Sequence, residues 1–336
     1  MQPEPVHQIE TPQPHDIAVR SLVEFVLQSG DITPGGFQRR DRAQLGTQGH
    51  KQVQRNRPAG YQTEVEIVYR VEDAGPPLEV RGRIDGLYPN TDPVIIEEIK
   101  TTTLSLDLVN EEHNRLHWAQ AQCYAFMVAR EQNLSGVSIH LTYYHLDSRK
   151  EKTFERHFSL AELETFFHDL VTAYLNWFRK ISAWQARRDQ SIQQIEFPYE
   201  DYRPGQRDMA VAAYKAIRDN GRLYVQSPTG VGKTIAALFP AVKALGQGLA
   251  AKIFYLTAKT PGRLVAEKAL EDMRQVDLDL RSVTLTAKEK ICFCPPVNCD
   301  PEICVFARGY FDKVKTALGE MDRHQAFTRP IIEEIA

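Results

Sequence analysis

Apolar positions along the chain recur first at helical spacing, then in alternation, then at helical spacing again. Ile17, Val19, Leu22, Val23 and Val26 form one helical stripe, which Asp16 would cap and Gly30 would close. After a Pro-Gly-Gly break at 34–36, a second helix is expected from about Asp41 to Gln54, and it carries His50. Three strand-like segments follow at 63–71, 78–88 and 94–101, with turn signals at Gly75-Pro76-Pro77 and at Pro89-Asn90-Thr91-Asp92. Links this short predict an antiparallel meander. A helix at 111–130 and strands at 137–147 and 151–158 come next. Ser159, with Glu162 one turn later, then gives a capping-box start to a long helix ending near Arg188.

The pattern changes after residue 188. Residues 189–198 are polar and proline-flanked, as expected of a linker between domains. From Arg207 a helix leads to an apolar run at 223–226, a loop, a helix from Lys233 and a second apolar run at 253–257. Alternating strand and helix in this second half predicts a parallel sheet; with strands and helices in the first half as well, the expected fold class is α/β. Residues 1–16, rich in Pro, Gln and Glu, are expected to be a disordered tail.

Composition adds limits. A chain of 336 residues with 42% hydrophobic and 25% charged residues is large enough for two domains and excludes a wholly disordered or fibrous protein. No apolar run approaches the roughly 18 residues of a spanning helix, so no membrane partner is expected. The first residues lack the basic end and apolar core of a secretion signal, which predicts a cytoplasmic protein. A net charge of −3 confines any nucleic-acid contact to local patches. Arg39, Arg40, Arg42, Lys51, Arg55 and Arg57 stand against the single acid Asp41 and form such a patch, which reads equally as a solvated helix face.

Candidate chemistry appears in three places. The first is SPTGVGKT at 227–234. Thr229, Gly230, Val231 and Gly232 would offer backbone N–H groups to phosphate oxygens, Lys233 would reach the β- and γ-phosphates of ATP, and Thr234 would hold Mg²⁺. The bland alternative is a glycine turn before a helix. The general phosphate-loop pattern has another glycine where this chain has Gln226. This SPTGxGKT form resembles superfamily 2 helicases, especially the DinG/XPD type. Tyr202-Arg203-Pro204-Gly205-Gln206 resembles their adenine-holding element, with Gln206 as the reader, and IFYLTAKTPGR at 253–263 resembles their next motif. That resemblance makes Thr257, Lys259 and Thr260 candidate contacts to a DNA backbone.

The second is a cluster of thiols. Cys292, Cys294, Cys299 and Cys304 lie close together while Cys123 stands apart, which points to metal and not to disulfides. Spacing alone leaves zinc and an iron–sulfur cluster open. KICFCPPVNCDPEICVFARGYFDK at 290–313 resembles the opening of the 4Fe–4S domain of DinG/XPD-type helicases, which favours Cys292, Cys299 and Cys304 as ligands. Cys294 is then a substitute or a bystander.

The third lies in the first half. Asp85 sits in GRIDG, Glu98-Ile99-Lys100 on the following strand, and Gln120 and Tyr124 on a helix. Strand periodicity places Glu98 and Lys100 on one face, and a neighbouring strand can bring Asp85 alongside. Facing carboxylates suit a divalent oxygen-loving cation for phosphodiester hydrolysis. Lys100 would stabilise the transition state, and helical spacing stacks Gln120 on Tyr124. Taken singly, an E-x-K on a strand is also a solvated edge, and a D-G pair also a turn. The ordered set resembles PD-(D/E)XK nucleases of the RecB-like type, in which a helix histidine precedes the first strand, matched here by His50. The resemblance implies that His50, Asp85 and Glu98 bind Mg²⁺ or Mn²⁺ and that Lys100, Gln120 and Tyr124 complete the site. Glu97, on the opposite face of the strand, is not part of this set.

These readings join into a RecB-like nuclease domain at 17–188, a partial P-loop motor at 199–288 and the start of an iron–sulfur domain at 289–336. The implied function is an ATP-dependent DNA helicase fused to a metal-dependent nuclease, acting on single-stranded or branched DNA in repair or defence. The Asp-Glu strand that activates water for ATP hydrolysis is not found after Thr234, nor is a second motor lobe. The chain therefore reads as a fragment that binds ATP without hydrolysing it alone. Two alternatives are a non-catalytic DNA-binding module and a zinc-containing RNA or remodelling ATPase.

Overall fold

The computed structural model describes residues 15–32, 40–72, 77–258, 260–294 and 298–336. The expected tail up to residue 14, Arg39, the break at 34–36, Gly75-Pro76 and Lys259 lie outside the described residues. Two compact units are present: Met1–Asn176 with Pro296–Lys315, and Trp177–Pro295 with Thr316–Ala336.

The first unit is built on a mixed sheet of six strands: β1 (His15–Ala18), β2 (Gln62–Val71), β3 (Leu78–Tyr88), β4 (Ile95–Thr102), β5 (Gly136–His145) and β6 (Glu151–Ser159). The expected meander is present, since β2 and β4 both pair antiparallel with β3. β4 then runs parallel to β5, which forms an antiparallel hairpin with β6. The edge of β3 that faces away from β2 is shared. β1 pairs in parallel with Leu78–Arg81, and β4 pairs with β3 from Gly86 to Tyr88, so among the described residues positions 82–85 have no strand beside them on that edge.

Four helices accompany the sheet: α1 (Val19–Leu27), α2 (Arg40–Arg55), α3 (Arg115–Gln132) and α4 (Leu160–Gln194). Val53 of α2 packs with Ile99, Tyr144 and Leu146, whereas Gln120 of α3 reaches Lys100. Ile99 and Lys100 point to opposite faces of β4, so α2 and α3 lie on opposite faces of the sheet. Asn114 caps α3 by accepting from the Leu116 N–H, and ten of the helix's residues are buried, including Trp118, Tyr124 and Phe126. Phe126 stacks on Phe167 of α4 with ring centroids 4.4 Å apart. The capping box forms: the Glu162 carboxylate accepts from the Ser159 N–H at 2.8 Å and from its hydroxyl at 2.6 Å.

Two expectations change here. Asp16 does not cap a helix. It lies in β1 and accepts from Arg81, while Ala18 starts α1 with no side-chain cap, because β1 is drawn into the sheet beside β3. Residues 298–315, expected to belong with the cysteine-rich half, pack instead on the end of α1. The Gly30 N–H donates to Asp312 at 2.8 Å, the Gly309 N–H to Asp31 at 2.7 Å, and the Ile32 N–H to the Ala307 carbonyl at 3.0 Å.

The second unit is mainly helical: the end of α4, then α5 (Gln206–Arg218), α6 (Lys233–Gly246), α7 (Thr260–Arg274), α8 (Lys288–Ile291) and, after α9 (Tyr310–Glu320), α10 (Arg329–Ile335). Its core gathers Ile192, Ile195, Ile235, Leu238, Val242, Ala269 and Met273. Burial of Ile192 explains why α4 continues to Gln194 through the start of the expected linker. The parallel sheet expected here is not formed. Residues 223–226 and 253–257 carry no strand pairing among the described residues, and Tyr224 and Leu256 are each 88% exposed. An apolar run becomes a buried strand only between neighbours. Among the described residues, this unit pairs the short strands β7 (Ser282–Val283) and β8 (Ala326–Phe327).

Candidate active site

β3 and β4 part company at a defined rung. Gly86 pairs with Glu97; one residue further on, Asp85 and Glu98 would pair next but do not. Side chains replace the missing ladder. The Ile99 N–H donates to Asp85 Oδ2 at 2.8 Å, and the Arg83 N–H donates to the Tyr124 hydroxyl. The result is a fork, open toward α3 on one side and α2 on the other.

All six residues expected at the site meet in this fork. His50 Nδ1 lies 3.3 Å from Asp85 Oδ1. Lys100 Nζ lies 2.5 Å from Glu98 Oε1 and donates to Gln120 Oε1 at 3.1 Å. Gln120 Nε2 donates to the Tyr124 hydroxyl at 3.4 Å. Because the ammonium can only donate, Gln120 must turn its carbonyl to Lys100 and its amide to Tyr124. Gly82 makes this possible: a Cβ there would stand 2.3 Å from the Tyr124 ring.

Charge in the fork is finely opposed. Glu98 is 1% exposed, and its Oε2 has no hydrogen-bond partner among the described residues. Burial raises its pKa to about 7, with Asp85 adding to the rise and Lys100 opposing it. Burial lowers the His50 pKa, but the Asp85 hydrogen bond and charge outweigh it, so the imidazole sits above its ordinary value. Burial, together with the Glu98 carboxylate, keeps the Tyr124 phenol neutral well above its usual range. Nearby His117, held between Asn114 and Tyr143, is pushed down to about 3 by burial and by the charge of Lys100.

Behind the fork lies a network that the sequence did not disclose. Glu97, set aside as facing the wrong way, is buried and bonded by Arg57, Tyr61 and Thr142. Its signal was slight: two adjacent acids on a strand whose both faces are covered. Among the described residues, no three His, Cys, Asp or Glu side chains form a ready-made metal-holding group.

In the second unit, Gly232 starts α6 in the left-handed region at φ 80°, and Gly230 is left-handed too. Lys233 Nζ folds back onto the carbonyls of Ser227 at 3.0 Å and Pro228 at 2.7 Å. Gln206 accepts from the Arg203 N–H and donates to the Gly232 carbonyl, and Arg203 donates to the Gly230 carbonyl. Thr229 is exposed, while Val231 and Thr234 are half-buried. Cys292 and Cys294 fall in this unit, where the Cys294 N–H donates to Cys292 Sγ at 3.4 Å; Cys299 and Cys304 fall in the first. The iron–sulfur ligand set expected of Cys292, Cys294, Cys299 and Cys304 is thus not displayed among the described residues.

The family model of the PD-(D/E)XK nuclease superfamily matches residues 12–207, more than half of the chain and all of the fork. The chain belongs to the PD-(D/E)XK nuclease superfamily. It is therefore a nuclease-like hydrolase domain whose substrate class is nucleic acid, and members of this superfamily typically use Mg²⁺ or Mn²⁺. No curated protein matches the chain. Among solved structures, it is similar to SSO0001, with 18% identity over 49% of this chain and 79% of that one and a TM-score of 0.31. It is also similar to an alkaline exonuclease from Laribacter hongkongensis, with 15% identity over 50% of this chain and 93% of that one and a TM-score of 0.30. The PD-(D/E)XK match stops at Arg207, short of the loop at 227–234 and of the cysteines. The helicase, ATP and iron–sulfur expectations find no support in these comparisons. No helix among the described residues is long and apolar enough to cross a membrane.

Proposed function

We propose that the fork is a divalent-metal site that hydrolyses phosphodiester bonds in DNA. The observation that carries this reading is the unpartnered Oε2 of Glu98, buried beside Asp85 and His50. An orphaned carboxylate oxygen costs about 1–3 kcal/mol or more in a folded interior, and a cation beside it would remove that cost. Two carboxylates and an imidazole are a donor set that suits Mg²⁺ or Mn²⁺. His50, Asp85 and Glu98 would hold the ion, which supplies Lewis-acid polarisation of the scissile phosphate.

The remaining residues position charge. Tyr124 is anchored by the Arg83 N–H and orients Gln120, and Gln120 keeps Lys100 aimed into the fork when Glu98 turns away from it. The Lys100 ammonium then faces the negative charge that develops on the phosphate during attack. Single-stranded or branched DNA is the proposed substrate. With Mn²⁺ or Mg²⁺, the purified chain is expected to degrade such DNA, and Asp85→Ala to lose that activity while keeping its fold. Cutting that survives Asp85→Ala, or that proceeds in EDTA, would remove this reading.

A second reading concerns the loop at 227–234, which we take to bind the phosphates of ATP as part of a DinG/XPD-type helicase motor. It is favoured by the loop's attachment, in which Arg203 and Gln206 donate to the carbonyls of Gly230 and Gly232 just ahead of α6, and a helix start offers an anion N–H groups that have no intrahelical partner.

A further inference from the structure

We infer that Arg57, Tyr61 and Glu97, which touch no reacting group, form a positioning knot that fixes the geometry of the fork; the inference rests on the nuclease reading of Asp85 and Glu98. Glu97 is 1% exposed. Its Oε2 accepts from Arg57 Nε at 2.9 Å and from the Tyr61 hydroxyl at 2.8 Å. Its Oε1 accepts from Arg57 Nη2 at 2.5 Å and from the Thr142 hydroxyl at 2.6 Å. Arg57 Nη1 also pairs with Glu151 at 2.9 Å.

A buried ion pair is a poor way to gain stability, since apolar residues of the same volume commonly do as well or better. Ile99, two residues along the same face of β4, shows that this face accepts an apolar side chain. What a carboxylate adds is direction, and its place in the fold shows what is being directed. Glu97 is the last residue of β4 paired with β3 before the fork, opposite Gly86. Tyr61 lies directly on Gly86, where an added Cβ would meet its hydroxyl at 1.6 Å, so the residue following Asp85 is pinned from behind. Arg57 follows closely on Arg55, the last residue of α2, and so ties down the end of the helix that carries His50. Gln54 adds to that tie by donating to the Asp85 carbonyl at 2.9 Å. The three elements that bring His50, Asp85 and Glu98 together are therefore all referenced to one carboxylate. Displacements near 1 Å can cost on the order of a hundredfold in rate, so a shared reference point has direct chemical value.

The Ile99 amide reports on the fork, because its N–H is held by Asp85 across the gap. In the full chain, Tyr61→Phe deletes one hydroxyl and keeps the ring over Gly86, while Arg57→Lys keeps the charge and loses the two-pronged contact. Both variants are expected to exchange the Ile99 amide at least about tenfold faster than wild type. In Tyr61→Phe this should occur with little change in melting temperature. Mn²⁺ binding, followed by calorimetry without DNA, should weaken about tenfold, as for other outer-shell changes. The turnover number should fall while KM for DNA holds. Wild-type Ile99 exchange in Tyr61→Phe, with wild-type Mn²⁺ affinity, would reduce the knot to simple packing and overturn the inference. A wild-type chain that neither binds Mn²⁺ nor cuts, yet shows the exchange response, would retain the positioning knot and remove the nuclease reading instead.

Discussion

Glu98 is where burial and chemistry meet, and its titration gives the sharpest test at the scale of a single residue. Burial, with help from Asp85 and against Lys100, holds its pKa at about 7, above the ordinary glutamate value of 4.5. The folded chain thus keeps a proton that the unfolded chain has already released. Its contribution to stability is fully present at acid pH and is lost as pH rises through about 7. In EDTA, the melting temperature is expected to fall across that range, and Glu98→Gln should flatten the fall. Mn²⁺ affinity should move the other way and rise toward about pH 7, because the ion requires the ionised carboxylate. Lys100→Ala is expected to lower the turnover number by about a hundredfold or more, with little effect on Mn²⁺ binding, in single-turnover assays. Strand and helix periods place Glu98 with Lys100 and Gln120 with Tyr124 on common faces, and the resemblance to RecB-like nucleases is what joins His50 and Asp85 to them. Arg57 and Glu97 were not legible in this way: their contact spans 40 residues, and no local period encodes it.

At the scale of elements, the proposed site is a gap in a ladder. β1 and β4 share one edge of β3 without meeting, and the space between them receives Tyr124 and the Asp85 carboxylate. The lack of a side chain at Gly82 is part of this design. Gly82→Ala would drive a methyl group into the Tyr124 ring and displace the support of Gln120 and Lys100. The expected outcome is a loss of roughly 1–3 kcal/mol in denaturant titrations and a larger proportional loss of cutting. Strands β2 to β6, the helices α2 and α3 and the capping box could be read from the sequence, since alternation and caps are local signals. The pairing of β1 beside β3 could not, and neither could the continuation of α4, which depends on Ile192 finding a distant core. The apolar runs at 223–226 and 253–257 show the converse, because hydrophobicity without paired neighbours leaves them exposed.

For the molecule as a whole, the PD-(D/E)XK match covers the first unit's fork and ends before the glycine-rich loop. The two candidate activities should therefore separate by mutation. Lys233→Ala is expected to abolish binding of a fluorescent ATP analogue while leaving metal-dependent cutting at its wild-type rate. Binding that persists in Lys233→Ala would remove the phosphate-loop reading without touching the nuclease. The central claim is that the fork cuts nucleic acid, and single-turnover cleavage of end-labelled single-stranded DNA by the full chain in Mn²⁺ tests it most directly. The expected result is cleavage by wild type that disappears in EDTA and in both Asp85→Ala and Glu98→Gln, with folded variants confirmed by circular dichroism. Intact DNA with wild type, or equal cleavage by the variants, would contradict the account.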